Sequence, residues 1–182
     1  MHIIRHFRTI THHRHLVMKN CFRVGLYWRG LTHDLSKYSP TEFGRGAKYY
    51  RGTFSPTQQE RRENGYSLAW MHHKGRNRHH FEYWTDVSPV THQYEPLEMP
   101  TEFFVEMCMD RIAASRTYLK ENYHDGAPLE YLQRAGDNRW MHPRTARKLR
   151  FILTMLRDRG EAETFCFIRE VVLKGLPFAE EE

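Results

Sequence analysis

The stretch that decides the fold runs Gly30-Leu31-Thr32-His33-Asp34-Leu35-Ser36-Lys37-Tyr38-Ser39-Pro40-Thr41-Glu42-Phe43. It places His33 directly before Asp34, and Leu31 and Leu35 flank the pair. An ionised group inside an apolar turn costs free energy unless it is paired or coordinates a metal. The stretch therefore predicts a metal site with His33 and Asp34 at its centre, which histidines from elsewhere in the chain complete.

The second half of this stretch predicts a helix start. Ser39 suits the capping position, Pro40 suits the first helical position, and Glu42 completes a capping box. Ser55-Pro56-Thr57-Gln58 repeats the pattern and predicts the start of the next helix. That second helix is highly charged, so we expect one of its sides to face solvent.

The composition favours a packed helical protein. The chain has 182 residues, of which 40% are hydrophobic and 14% aromatic, which is enough for one domain with a sizeable core. Apolar residues recur at spacings of three and four, and no stretch alternates convincingly as a strand. We expect an all-α fold and a single compact domain, residues 1–182, of about seven to nine helices. The metal-site core spans about 9–122, the C-terminal helices span 128–175, and 86–99 is a loop.

Charge and cysteine content limit the partners and the compartment. Lys and Arg number 28 against 22 Asp and Glu, so the net charge of +6 suits anionic partners. Runs of Lys and Arg are short, so nucleic acid is a less favoured partner than a small phosphorylated molecule. The sequence shows no apolar run of membrane length and no signal peptide. The three separated cysteines predict reduced core thiols in a cytoplasmic protein.

Histidine is unusually abundant, with 13 residues. Eight of them lie in or near the predicted site: His12, His13, His15, His33, His72, His73, His79 and His80. A predicted first helix, 9–28, carries His13 on its apolar face. A predicted long helix from Pro100 to about Asn122 carries Asp110 on its buried face. Both faces are suitable sources of further metal ligands.

Two histidine pairs, His72-His73 and His79-His80, flank the basic turn Gly75–Arg78. Imidazole nitrogens together with carboxylate oxygens favour Mn, Fe, Ni, Co or Zn over Ca. The arginines of the turn suit a phosphate, which a guanidinium binds in a bidentate manner. The alternative is that Arg76 and Arg78 pair with Glu82 or Asp86. The aromatic residues nearby fit a core better than a base-stacking platform.

These residues occur in an order that resembles the HD superfamily of metal-dependent phosphohydrolases. The shared pattern is a histidine on one helix (His13), a His-Asp doublet (His33-Asp34) and a late aspartate on a long helix (Asp110). The chain resembles more closely an uncharacterised group of bacterial and phage proteins. That group shares the segments His33–Phe43 and His72–Trp84 almost unchanged.

The resemblance to the HD superfamily implies an HD-like helical domain and a set of roles. His13, His33, Asp34 and Asp110 would hold one divalent ion. His73 and His80 match the additional histidines of members that bind two ions, and His72 and His79 are the alternatives within each pair. One or two ions are therefore expected.

The implied reaction is hydrolysis of a nucleotide or another phosphate ester by metal-activated water. Catalytic roles would fall on His73, His80 and Lys37, with a histidine that is not a ligand protonating the leaving oxygen. Substrate-binding roles would fall on Lys37, Lys74, Arg76 and Arg78. Two alternatives remain: a non-catalytic protein that binds a nucleotide or nucleic acid around a structural metal, and an HD-type oxygenase with two irons. The oligomeric state is open.

Overall fold

The computed structural model describes residues 2–179, apart from the side chains of residues 137 and 138. This part of the chain is mainly helical, which confirms the predicted all-α class and the expected number of helices. Its eight α-helices are α1 (His2–Val24), α2 (Tyr27–Thr32), α3 (Pro40–Tyr49), α4 (Pro56–Asn64), α5 (Leu68–Lys74), α6 (Thr101–Leu119), α7 (Ala127–Ala135) and α8 (Pro143–Phe167).

A small hairpin lies in the stretch that we expected to be a loop. Strands β1 (Thr85–Val87) and β2 (Tyr94–Pro96) pair antiparallel, with Asp86 opposite Glu95. Every residue of β1 is exposed. The hairpin has three-residue strands and buries no face, so the apolar alternation by which a strand is recognised is absent from its sequence.

The core forms where α6 packs against α1 and α8. The most extensive helix pairing is that of α1 with α6. Its centre contains residues with no exposed surface, such as Val17 on α1, Met109 and Ile112 on α6, and Leu153 on α8. Because α6 is buried on most of its circumference, a polar side chain on it is withdrawn from water and needs a partner.

The first helix differs in extent from the sequence prediction. It begins at His2 and ends at Val24, where Gly25 adopts a positive φ of +90° that favours glycine. Trp28, which fitted the apolar stripe of a longer helix, lies on α2 and is 69% exposed. The match of Trp28 to the apolar spacing of the first helix is therefore a coincidence, because that helix already ends at the turn formed by Gly25.

The chain around the His-Asp doublet is not one helix. α2 ends at Thr32, and a 3-10 turn covers Leu35–Tyr38. Between them Asp34 has a left-handed conformation, with φ of 53°. The spacing of Leu31–Lys37 also suits a short continuous helix, but this break interrupts it and turns both doublet side chains into the interior.

The predicted helix starts are confirmed only in part. The Ser39 hydroxyl accepts a hydrogen bond from the Glu42 amide at 3.4 Å, and Pro40 begins α3. The Glu42 carboxylate does not complete a capping box, because it binds histidines of α5. The next helix, α4, begins at Pro56 as predicted, but Ser55 forms no side-chain cap and instead contacts the Thr57 hydroxyl at 2.8 Å.

Two side chains lie in surroundings opposite to those expected. Glu60, on the charged helix α4, is 1% exposed because Arg45 and Ser67 donate hydrogen bonds to its carboxylate. Cys21 and Cys108 are buried as predicted, but Cys166 is exposed.

Within residues 2–179 no helix combines the length and apolar character that crossing a membrane requires.

Gly46 provides a test of the contact between α3 and α1. A Cβ atom at residue 46 would lie 2.3 Å from His6 Nε2, whereas one at Gly44 would meet no atom within 4 Å. We expect Gly46→Ala to lower the free energy of unfolding by about 1–3 kcal/mol through overpacking. Gly44→Ala, in the same helix, should raise it by about 0.5–1 kcal/mol. Urea unfolding measures both, and equal effects of the two substitutions would contradict this packing.

His6 also makes stability depend on pH. Burial, followed by the charge of Lys37, lowers the pKa of His6 from 6.5 to about 4. Between these values the unfolded chain takes up a proton that the folded chain does not, so the free energy of unfolding falls as the pH falls. The His6 contribution to this loss is about 2 kcal/mol between about pH 7 and about pH 5. His6→Leu should remove it, and urea unfolding that shows the same pH dependence in the variant would count against it.

Candidate metal centre

The interior between α1, α5 and α6 collects the imidazoles and carboxylates that the sequence singled out. His13 comes from α1, the doublet from the break after α2, His73 from α5, and Asp110 from α6. His79 and His80 come from the turn after α5. Most of these segments are distant in sequence, and their side chains form two adjoining groups of potential metal ligands, while His33 and His79 form a third group with Glu106.

The first group contains His13, His33 and Asp110. One nitrogen or oxygen from each lies within 4.8 Å of the others. The His13 Nε2 atom is 2.9 Å from Asp110 Oδ1, and the His33 Nε2 atom is 3.8 Å from the same oxygen. The apolar stripes of two predicted helices therefore did bring His13 and Asp110 together.

The second group contains Asp34, His73, His79 and His80. The Asp34 Oδ1 atom lies 3.3 Å from His73 Nε2 and 3.5 Å from His79 Nε2. The Nε2 atoms of His73 and His80 are 2.8 Å apart. Both members of the His79-His80 pair thus belong to the group, whereas sequence reasoning selected His80 and kept His79 as its alternative.

Asp34 connects the two groups. Its Oδ1 atom faces His73 and His79, while its Oδ2 atom lies 3.4 Å from His33 Nε2 of the first group. The side chain is 1% exposed. A single buried carboxylate thus presents one oxygen to each set of imidazoles, which is suitable for two neighbouring cations.

Glu106 orients two of these imidazoles and was missed from the sequence. Its Oε1 atom lies 2.9 Å from His33 Nδ1 and 3.2 Å from His79 Nδ1. A carboxylate on the outer nitrogen fixes the orientation of the ring and turns its Nε2 atom toward a metal. The sequence does contain a signal for Glu106: it lies one helical turn before Asp110, on the same face of α6.

Glu42 acts in the same way on α5. Its two oxygens each lie 2.7 Å from an Nδ1 atom, Oε1 from that of His72 and Oε2 from that of His73. His73 Nε2 then faces Asp34, whereas His72 remains partly exposed. The sequence signal for Glu42 was hidden, because a glutamate three residues after a capping serine already had a structural explanation.

The electrostatic balance of the centre keeps its carboxylates ionised. Burial alone would raise the pKa of Asp34, but His33, Lys37 and other neighbours hold it well below its usual range. The pKa of Asp110 is likewise held well below its usual range, against burial, mainly by His13.

The histidines of the centre respond differently to burial. Desolvation lowers the pKa of His33, and together with the charge of His79 it lowers the pKa of His80 strongly. Burial would also lower the pKa of His79, but the hydrogen bond to Glu106 and the charge of Asp34 raise it. Imidazoles with a low pKa are neutral, which is the form that binds metals.

Buried atoms without partners indicate that the centre fits a cation. His33 Nε2, His79 Nε2 and Asp34 Oδ1 are buried, and no described atom forms a hydrogen bond with them. Such atoms cost free energy unless something binds them. Nitrogen and carboxylate donors in this arrangement fit a divalent transition metal. The residues present could therefore hold a metal ion at either group.

The predicted substrate-binding cations separate into two sets. A pocket of about 240 Å³ lies above the centre, and Arg76 and Arg78 line it. Lys37 and Lys74 do not line it: the Lys37 ammonium is 2.7 Å from Asp34 Oδ2, and Lys74 follows His73 on α5, so that it points about 100° away. Arg76 donates a hydrogen bond to the His72 carbonyl oxygen at 3.5 Å, and the Arg78 guanidinium lies 5.7 Å from the centroid of the Tyr83 ring. The alternative that these two arginines pair with Glu82 or Asp86 stays a prediction.

Glu106→Gln tests how the imidazoles are held. Glutamine keeps an acceptor oxygen but loses the negative charge that strengthens the hydrogen bonds from the two Nδ1–H groups, so affinity for Mn²⁺ or Zn²⁺ should fall by about 10–100-fold. Titration with metal by isothermal calorimetry measures this loss. Glu102→Gln on the same helix is the matched control, because Glu102 contacts Arg29 at the surface. An unchanged affinity in Glu106→Gln would refute the role of Glu106.

Comparison with known proteins gives one family. No significant match was found among curated proteins or among solved structures. The model of a family of unknown function, DUF5662, matches residues 2–155, which include every residue of the two ligand groups and of the pocket above them. The chain belongs to this family of unknown function, DUF5662.

Proposed function

We propose that this protein is a divalent-metal-dependent phosphohydrolase of the HD type, which acts on a nucleotide or another phosphate ester. The observation that supports it best is the position of Asp34. This carboxylate belongs to the group of His73, His79 and His80, lies 3.4 Å from His33 of the other group, and also forms part of the floor of a pocket lined by arginines. A cytoplasmic location belongs to the same proposal.

A divalent metal, when bound, supplies an acidified water and polarises a phosphoryl oxygen. The chain's own residues prepare for that chemistry. Glu106 and Glu42 fix the imidazoles with their Nε2 atoms inward, so little reorganisation is needed when the site is loaded. Arg76 and Arg78 line the pocket above the donors, where guanidinium groups can bind the phosphoryl part of a substrate.

Lys37 and His80 take more limited roles in this proposal than in the sequence prediction. The pKa of Lys37 is raised, against burial, chiefly by Asp34, so the ammonium stays charged and balances that carboxylate. It is a poor proton donor for that reason. His80, with its strongly lowered pKa, is neutral and suits ligation better than proton donation. His73 is proposed as a ligand by its distance to Asp34.

A second candidate function shares the same atoms. Two donor groups joined by one carboxylate also suit two irons, and two-iron members of the HD superfamily carry out oxygenation rather than hydrolysis. Elemental analysis of purified protein separates the two: two irons per chain favour the oxygenase, whereas Mn, Ni, Co or Zn favours the phosphohydrolase. Salt-dependent binding of oligonucleotides without turnover would favour the non-catalytic alternative.

Asp34→Asn tests the phosphohydrolase proposal directly. Because the amide replaces one oxygen and the charge shared by both groups, hydrolysis of phosphate esters with added Mn²⁺ should fall by at least about a hundredfold. A panel of nucleoside monophosphates and p-nitrophenyl phosphate provides the assay.

His12→Ala is the matched control, because His12 is the exposed neighbour of His13 on α1. It should keep wild-type activity. Turnover that persists in Asp34→Asn would refute the proposal. Circular dichroism of each variant shows that a loss of activity is not a loss of fold.

A further inference from the structure

The pocket above the donors is lined by more guanidinium groups than one phosphate requires. Its floor contains Asp34, His79 and Glu106. Its walls carry three guanidinium groups, one from α2 and two from the turn after α5, together with two neutral polar side chains: Arg29, Arg76, Arg78, Thr32 and Asn77. Arg29 was not among the residues that the sequence singled out.

Arg29 is held by contacts that an anion can replace. Its Nε and Nη2 atoms lie 3.3 and 3.4 Å from the carboxylate of Glu102, whose side chain is 49% exposed. An exposed ion pair at such distances contributes little free energy. The guanidinium also lies 4.2 Å from the centroid of the Phe103 ring. The contact with Phe103 holds the Arg29 guanidinium at the pocket. Its N–H groups can exchange the Glu102 carboxylate for another anion.

Arg78 uses the same ring. Its guanidinium lies 5.8 Å from the Phe103 centroid and 5.7 Å from that of Tyr83. Since both distances to Phe103 are measured from one ring, the two guanidinium groups lie no more than about 10 Å apart, and both side chains line the pocket. Like charges held together in this way favour a ligand with more than one negative group.

A larger pocket elsewhere lacks this excess. It has a volume of about 600 Å³ and lies beside the start of α8, where Arg144 and Lys148 contribute to its lining. Both of these side chains are already paired with Glu98, at 3.3 and 2.7 Å. In the pocket above the ligand groups, one of the three arginines, Arg29, pairs with a described carboxylate, that of Glu102.

We infer that the pocket binds a substrate with two adjacent phosphoryl groups. One would lie above the donor groups, and Arg29 and Arg78, with Arg76 nearby, would bind the other. The choice of the first as the reacting group rests on the proposed function. Hydrolysis then adds one water across the P–O bond, so that the hydroxyl joins phosphorus and the proton goes to the leaving oxygen. A volume of about 240 Å³ is below the usual range of about 300–1,000 Å³, so the remainder of the substrate lies outside.

Two small phosphonates test this inference, because their P–C bonds are not hydrolysed. Isothermal calorimetry compares methylenediphosphonate with methylphosphonate at a saturating, buffered concentration of free Mn²⁺. The diphosphonate should bind at least about tenfold more tightly. Arg29→Gln and Arg78→Gln should each remove most of this difference. Arg150→Gln, which changes an exposed arginine of α8 outside the pocket, should retain it.

Two results would overturn the inference. One is equal affinity for the two phosphonates. The other is a preference that survives in both arginine variants, since chelation of Mn²⁺ would then explain it. The proposed function is tested separately. If the arginine-dependent preference is found but no phosphate ester is hydrolysed with any divalent metal, the pocket is a diphosphate-binding site and the protein is not a phosphohydrolase. Thermal unfolding of each variant excludes a loss of fold.

Discussion

The burial of one ionised carboxylate, that of Asp34, is the constraint on which the rest of the structure depends. An isolated buried charge is very unfavourable, and the fold compensates by surrounding it with His33, His73, His79 and the ammonium of Lys37. These partners come from separate elements. The packing of α5 and α6 around the break after α2 is therefore coupled to the electrostatics of a single side chain.

Two other carboxylates extend this arrangement outward. Glu106 and Glu42 each contact the Nδ1 atoms of two histidines, so each one restrains a pair of rings. Such outer partners define both the orientation of the ring and the nitrogen that carries the proton. The centre is accordingly a network of shared carboxylates, in which a change at Glu106 affects rings on two segments and a change at Glu42 affects two rings on α5.

The sequence predicted what depends on local pattern and residue type. The helical class, the cap at Ser39 and the buried positions of His13 and Cys21 follow from spacing and are found in the structure. The choice between His79 and His80 could not be made, because in a turn neighbouring side chains have no fixed angle between them. Glu42 and Arg29 were missed for another reason: each had a sufficient local explanation, as a capping residue and as an ordinary surface cation, and its role arises from tertiary contacts.

The two ligand groups differ in the sequence separation between their members. His73, His79 and His80 come from one short stretch, α5 and the turn that follows it, while His13, His33 and Asp110 come from three distant ones. Closing long loops costs more entropy than closing short ones, and local contacts form earlier in folding. The histidines of the second group can therefore assemble before the domain is complete, whereas the first group exists only once α1 and α6 have docked. Partial opening of the fold would consequently dismantle the centre in a defined order, with the long-range group lost first.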